Sequence, residues 1–591
     1  MAAPLARLLA RQALGRLLGS REGRPVSIDR GRLSRLRAGQ GEITNHVIDE
    51  YTAGRLSRRE FLVRGTVAGI SLPVLGAVLS ACGSSDTSAP RTVSTGAAGK
   101  AGATINVGIE APTAAINPVT VADLGGQDML AQTGEYLCLS NQQLALQPVL
   151  ATSWSSNSTA DMWTFKIRQG VKFHDGTPLT ADDVVYTYQL QANPKNTANA
   201  LSALGGVLAP PGVQKVDQYT VAFHLEAPNG NFPYLTSSDN YNMIIIPNGY
   251  DPGKWQSTFT GTGPFVLKSY TPGVGASFVR NESYWGPKAL PAATEFTFYD
   301  SQAPQILALS SGALDVLGYF TVTGGERLLA RGAPYNIIRL RSSAHQELSM
   351  RCDQAPFTDS RVRQAIALTL NRPDIVTALF NGYADVGNDS PFAPVFPSTD
   401  TSVPQRVQNI AKAKALMSAA GHSAGFSAQL VTEQFLEIPE YAQIVVQAAK
   451  AIGVTIKLTV ETPSAYYGKA VFGRSDWLDA TMSLVSYGHR SVPNVYLSAS
   501  LQTTNAKLGT GSWNAAHFND SEYDRLSQQY IAALDLSTQR TIAGQIETLL
   551  LNETPIIYGY FYNHLSACAK GVHGVYPTAI GQVFLARATK A

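Results

Sequence analysis

A chain of 591 residues, 44% hydrophobic and 15% charged, has enough apolar material for a large core and normally folds as more than one domain. That composition excludes a disordered chain and a polytopic membrane protein. The net charge of +3 hides an asymmetry: residues 1–81 hold 13 arginines, no lysine and 6 acidic residues, while the remainder holds 33 basic and 37 acidic residues. No Lys/Arg-rich stripe is left to follow a phosphate backbone, so nucleic acid is not expected as a partner.

Residues 1–56 include an Arg-rich stretch, Pro4 to Leu18, that reads as an amphipathic helix. They are a signal extension or the product of a start codon placed too early. Then comes Ser57-Arg58-Arg59-Glu60-Phe61-Leu62, a charge-free stretch of 17 residues from Gly65 to Ala81, and Leu79-Ser80-Ala81-Cys82-Gly83. The apolar stretch is short for a bilayer span and contains Pro73, which fits a signal sequence better than a permanent anchor. The segment resembles a twin-arginine export signal joined to a bacterial lipobox. That resemblance implies export through Arg58 and Arg59, cleavage before Cys82 and acylation of its thiol, with two or more chains giving firm attachment. A transmembrane anchor is the alternative. Residues 1–81 are thus expected to be a signal region with an extension, and 82–102 a Ser/Gly/Ala-rich flexible tether.

Thr104 to Ile109 reads as the first strand. Trp163, Phe165 and Ile167 alternate with polar residues, as do Val221, Phe223 and Leu225, giving strands with one apolar face. Between those two strands, His174-Asp175-Gly176-Thr177 is a turn, and Thr180 with Asp183 forms a capping box opening a helix. Phe265 to Leu267 is a short strand, Phe296 and Phe298 mark another, and Pro304 to Ser310 is a helix followed by a strand at Ala313 to Val316. Later, Phe357-Thr358-Asp359-Ser360 caps a helix carrying Val362, Ile366 and Leu370, and a second helix spans Val407 to Ala420. Phe426–Val431, Tyr441–Ile452 and Val454–Val460 form a strand–helix–strand unit. The mixture predicts α/β layers, with no internal repeat.

Enzyme signatures are missing: there is no G-x-S-x-G, no H-E-x-x-H and no P-loop. His174-Asp175 and Asp182-Asp183 are explained by a turn and a helix cap, so no catalytic residue is assigned. Cys82, Cys138, Cys352 and Cys568 lack metal-site spacing, and pairing among the last three is open. No cofactor and no resident metal are expected. The residues that suggest a ligand cleft are aromatic and polar ones on loops: Tyr467, Trp477, Tyr487, His489, Arg490, Trp513 and Asn514. Rings give apolar contact, while His489 and Arg490 can orient a polar group or hold an anion. Each aromatic is equally compatible with a core.

From Trp154 onward long stretches match a known pattern. They include Trp163-Thr164-Phe165-Lys166-Ile167-Arg168, Gly170-Val171-Lys172-Phe173-His174-Asp175-Gly176, Leu179-Thr180-Ala181-Asp182-Asp183-Val184, Gly261-Thr262-Gly263-Pro264-Phe265, Asn281-Glu282-Ser283-Tyr284-Trp285-Gly286 and Asn371-Arg372-Pro373-Asp374-Ile375-Val376. These resemble the extracellular solute-binding proteins of ABC transporters, family 5, over roughly residues 103–591. The resemblance implies a bilobed, α/β periplasmic-binding-protein type II fold with an extra subdomain in the first lobe. Domain I takes 103–139, 276–342 and 556–591, the extra subdomain 140–275, and domain II 343–555. It also implies a monomeric receptor that closes on a small polar solute, delivers it to a membrane permease and performs no chemistry. The solute is a peptide, an opine-like compound or a conjugate; a nickel chelate using His489 and His517, or a sugar, is the alternative within the family, and an exported hydrolase the alternative outside it. The expected place is outside the cytoplasmic membrane, lipid-anchored to its outer face or in the periplasm. Peptide-binding relatives set an aspartate where this chain has His489, and dipeptide receptors set an arginine near 433–439, where this chain has Glu433 and Glu437. Arg490 repels an ammonium and attracts an anion, so the polarity is reversed or the ligand is not a peptide.

Overall fold

The computed structural model describes residues 102–505 and 509–591. Arg58, Arg59, Cys82 and most of the tether lie outside them. The described residues form one compact unit. Among the described residues no helix is long and apolar enough to cross a membrane.

Two sheets organise this unit. The first has seven strands, in the order Tyr335–Leu340, His564–Ala569, Val316–Leu317, Thr104–Glu110, Ala293–Tyr299, Gly275–Arg280 and Phe265–Thr271. Thr104–Glu110 runs parallel to both its neighbours, and the remaining pairs are antiparallel. Its alternate residues Ile105, Val107 and Ile109 are buried, as the apolar spacing requires. The second sheet has six strands, in the order Ala384–Val386, Ile556–Tyr562, His345–Met350, Met482–Tyr487, Phe426–Glu433 and Val454–Glu461. The expected strand–helix–strand unit is here: Phe426–Glu433 lies parallel to Val454–Glu461, with the helix Ile438–Ala449 between them. A third, antiparallel sheet joins Ala151–Ser156, Met162–Ile167, Thr220–His224 and Val213–Asp217. The helix Ala181–Gln191 packs on it, opened by the anticipated box, in which Asp183 Oδ2 accepts from Thr180 N at 2.7 Å.

Some expected boundaries move. Ala313 to Leu314 do not extend a strand, because both amides turn back to the Ala308 carbonyl and close the preceding helix; only Val316–Leu317 remains. The helix expected from Val407 begins at Ile410, behind the Asn409 cap. Residues just before it are tied to neighbouring segments, Arg406 N donating to Asn388 Oδ1 and Gln408 Nε2 to the Thr369 carbonyl. Leu370 lies past the end of Ser360–Ala367, in a buried turn. Two strands also fall across the expected domain limits. Phe265–Thr271 pairs in the first sheet although it lies within 140–275, and Ile556–Tyr562 pairs in the second although it lies within 556–591. The chain therefore passes between the two sheets at 341–344 and again at Asn563. Those two passages touch: Ser342 Oγ donates to the Tyr562 carbonyl at 2.5 Å and Tyr562 N to the Ala344 carbonyl at 2.9 Å. Cys138, Cys352 and Cys568 are all free thiols.

Candidate ligand-binding site

The strand Met482–Tyr487 lies inside the second sheet and ends at Gly488-His489-Arg490, so its carboxyl end delivers these residues to the edge of the lobe. In open α/β sheets that end is where ligands bind. Ser343, on the first passage between the sheets, pins the loop. Its N–H donates to His489 Nδ1 at 3.0 Å, its hydroxyl donates to the Arg490 carbonyl at 2.7 Å, and Arg490 N donates back to that hydroxyl at 2.9 Å. Because Nδ1 accepts, the imidazole proton sits on Nε2. Burial, then the Arg490 and His564 charges, hold the His489 pKa down to about 3. His489 is thus a neutral peg for the backbone, and the charged member of the pair is Arg490.

Arg490 is half-buried, and its Nη1 donates to the His489 carbonyl at 2.9 Å. The acid in its field is Asp239, from the opposite side, whose carboxyl is raised by burial and drawn down by Ser491, Ser237, Ser140 and Arg490. Both line a cavity of about 1030 Å³, together with Tyr234, Tyr241, Ser491 and Trp513. This lies at the upper end of ordinary small-molecule sites. The walls come from both sides: Ser140 Oγ and Ser491 Oγ are 3.2 Å apart, Asn231 Nδ2 donates to Asn494 Oδ1 at 3.0 Å, and Asn494 Nδ2 donates to Asn229 Oδ1 at 3.2 Å.

Tyr467, Trp477, Tyr487 and Trp513 come together, in one aromatic group. Tyr487 stacks on Trp513 with centroids 5.4 Å apart, and Tyr467 meets Trp477 edge-on at 5.7 Å. Trp477 is packed against Val431, Tyr466, Leu478, Val485 and Ala515, so it stiffens the wall from behind. Asn514 is buried, its Nδ2 donates to the Gln502 and Phe518 carbonyls and its Oδ1 accepts from Phe518 N, which uses the amide to staple a turn. His517 is engaged with Asp353 at 3.4 Å and the Leu478 carbonyl at 3.1 Å. Among the described residues no group of three or more His, Cys, Asp or Glu is placed to hold a metal. His174 and Asp175 form a turn, with Asp175 Oδ1 accepting from Thr177 N and hydroxyl. Asp239 and Tyr241 were not foreseen; they lie in an irregular segment with no periodicity to mark them.

The family described as bacterial extracellular solute-binding proteins, family 5 middle, matches residues 145–507. The chain belongs to this family. The periplasmic murein peptide-binding protein MppA of Escherichia coli K12 is 25% identical over 478 residues, covering 76% of this chain and 86% of MppA. The oligopeptide-binding protein AppA of Bacillus subtilis 168 is 24% identical over 530 residues, covering 85% and 94%. The solved structure of HbpA2 from Haemophilus parasuis superposes with a TM-score of 0.70 at 22% identity, covering 82% of this chain and 99% of that one. The bilobed α/β type II binding-protein fold follows from that likeness. Members of the family bind rather than transform their solutes, so this solute-binding protein is not an enzyme.

Proposed function

We infer that this receptor captures peptides between its lobes and delivers them to the membrane permease of an ABC importer. Relatives named for murein peptides, oligopeptides and dipeptides support the cargo. The observation that carries the site is Arg490: a half-buried guanidinium on the cavity wall, aimed by Ser343 and His489 and with the Asp239 carboxyl in its field. It is the anion anchor, and a peptide carboxylate is the anion. Tyr487 and Trp513 form the apolar wall beside it. The test is calorimetric titration of residues 102–591 with a pool of free tripeptides. Arg490→Ala weakens binding at least tenfold, about 1.4 kcal/mol, as removal of one partner from a desolvated charge pair does; unchanged affinity refutes the assignment.

The sheet memberships support a division in which the first lobe holds 102–140, 265–342 and 563–591, the subdomain 141–264, and the second lobe 343–562. Export by the Arg58-Arg59 signal and anchoring through an acylated Cys82 complete the reading, placing the receptor outside the cytoplasmic membrane as a monomer. Cys82→Ala moves the protein from the membrane fraction to the soluble fraction of a producing cell. Retention in the membrane rejects the lipid anchor.

A further inference from the structure

We propose that His345 is the positioning residue for Arg490: it touches no ligand, and it fixes from behind the backbone that carries the guanidinium. This rests on the reading of Arg490 as the anion anchor and names the residue that makes the anchor selective.

His345 has no exposed surface and does not line the cavity. It opens the strand His345–Met350 and stands opposite Tyr487, the last residue of the strand that delivers Arg490. Its Nδ1 lies 2.6 Å from the Ser343 carbonyl, and its Nε2 lies 3.2 Å from Glu347 Oε1. A carbonyl oxygen only accepts, so Nδ1 carries a proton. Glu347 is buried as well, and its Oε1 also accepts the Tyr558 hydroxyl at 2.9 Å. One proton between Nε2 and Oε1 leaves the pair neutral overall, whichever atom holds it.

Two routes lead from this imidazole to the loop. The first is Ser343, whose carbonyl the imidazole holds. Its N–H donates to His489, and its hydroxyl donates to the Arg490 carbonyl and accepts from Arg490 N. The second is Tyr496, whose ring meets the imidazole edge-on at 4.8 Å and whose hydroxyl donates to the Gly488 carbonyl. Gly488, His489 and Arg490 are thus held by two partners that share one support. Tyr487, Tyr558 and Phe561 complete a cage around that support, with centroids 5.9, 5.0 and 5.4 Å away. Such a cage suits an apolar side chain equally well, and apolar replacement of a buried ionic pair is often neutral or favourable for stability. What an apolar side chain lacks is the Nδ1 donor. The imidazole therefore contributes geometry rather than folding energy.

The experiment titrates the free and C-amidated forms of an equimolar tripeptide pool into the receptor and reads the ratio of the two affinities. The wild-type receptor prefers the free pool by about tenfold or more, as a desolvated charge pair requires. His345→Asn, whose amide nitrogen takes the place of Nδ1, keeps that preference. His345→Gln, whose amide reaches Glu347 in place of Nε2, loses the donor to Ser343, and its preference falls to about threefold or less. Arg490→Gln falls as far. The positioning role is overturned when Arg490→Gln falls and His345→Gln does not, when the Asn and Gln variants fall alike, or when His345→Gln weakens both pools equally. Should the variants not fold, nitrogen-15 spectra of the wild-type imidazoles decide: Nδ1 of His345 is protonated and its signal moves with the free pool. An unprotonated Nδ1, or a signal that the bound pool leaves unmoved, overturns the role. A ratio unchanged in Arg490→Gln overturns the anchor reading itself, and failure of both pools to bind the wild-type receptor overturns the peptide reading; this proposal falls with either.

Discussion

Asp389 has no exposed surface and sits between two guanidinium groups. Arg372 Nη2 donates to its Oδ1 at 2.7 Å, and Arg406 Nη1 lies 3.2 Å from its Oδ2. Arg372 is itself buried, so removing the acid leaves a positive charge inside the second lobe without a counterion. Asp389→Ala costs about 3–5 kcal/mol of stability, measured by urea unfolding, whereas a loss below 1 kcal/mol shows that the arginines find other acceptors. The sequence marks Arg372 only as part of a matching motif. Its role was not legible, because Asp389 and Arg406 lie 17 and 34 residues away and no local spacing joins them. Arg490 stands out in the sequence for the opposite reason: an arginine in a loop at a strand end has few structural uses. Asn514 misled, since a loop amide beside a tryptophan reads the same whether it meets a ligand or staples its own turn.

Caps and periodicity made most elements visible. Trp163, Phe165 and Ile167 announce a half-buried strand, and Thr180 with Asp183 announces the helix that packs on it. In that box Asp183 accepts from Thr180 N at 2.7 Å and, through its other oxygen, from Asn248 N at 2.8 Å. The cap therefore ties the helix to a neighbouring loop as well. Thr180→Ala lowers stability by about 1 kcal/mol, read as a shift in the urea midpoint with unchanged slope. An effect within 0.3 kcal/mol means the Asp183 half of the box suffices. Elements were misjudged where a tertiary hydrogen bond competed with local pattern. The helix was expected to open at Val407, but Arg406 N bonds to Asn388 and Gln408 Nε2 to the Thr369 carbonyl, and Asn409 caps a helix that opens only at Ile410.

At the scale of the whole molecule, the subdomain meets the second lobe through a short run of amides. Asn494 donates to Asn229 and accepts from Asn231, which in turn accepts from Gln539 Nε2 at 3.1 Å. Asn229 and Asn494 both line the cavity, so these bonds hold its two sides together, and any arrangement that keeps them is favoured. Asn494→Ala weakens peptide binding several-fold, chiefly through faster dissociation, and leaves the melting temperature of the free protein nearly unchanged. Equal losses in free and bound stability would assign Asn494 to folding alone. This docking was beyond the sequence, because residues 229–231 and 494 are more than 260 positions apart. The bilobed plan itself was legible through resemblance, whereas the change of sheet at Asn563 was not, since Ile556–Tyr562 and His564–Ala569 follow each other almost directly in the sequence.

That adjacency has a consequence for synthesis. His564–Ala569 lies between Tyr335–Leu340 and Val316–Leu317, and among the described residues Tyr335–Leu340 pairs with no other strand. The first sheet therefore lacks the strand that joins its edge strand Tyr335–Leu340 to the rest until nearly the whole polypeptide has left the ribosome. The second lobe, by contrast, has all its strands once residue 562 emerges. A receptor cut short just after residue 562 keeps every strand of the lobe bearing Arg490 and loses the strand that completes the other sheet.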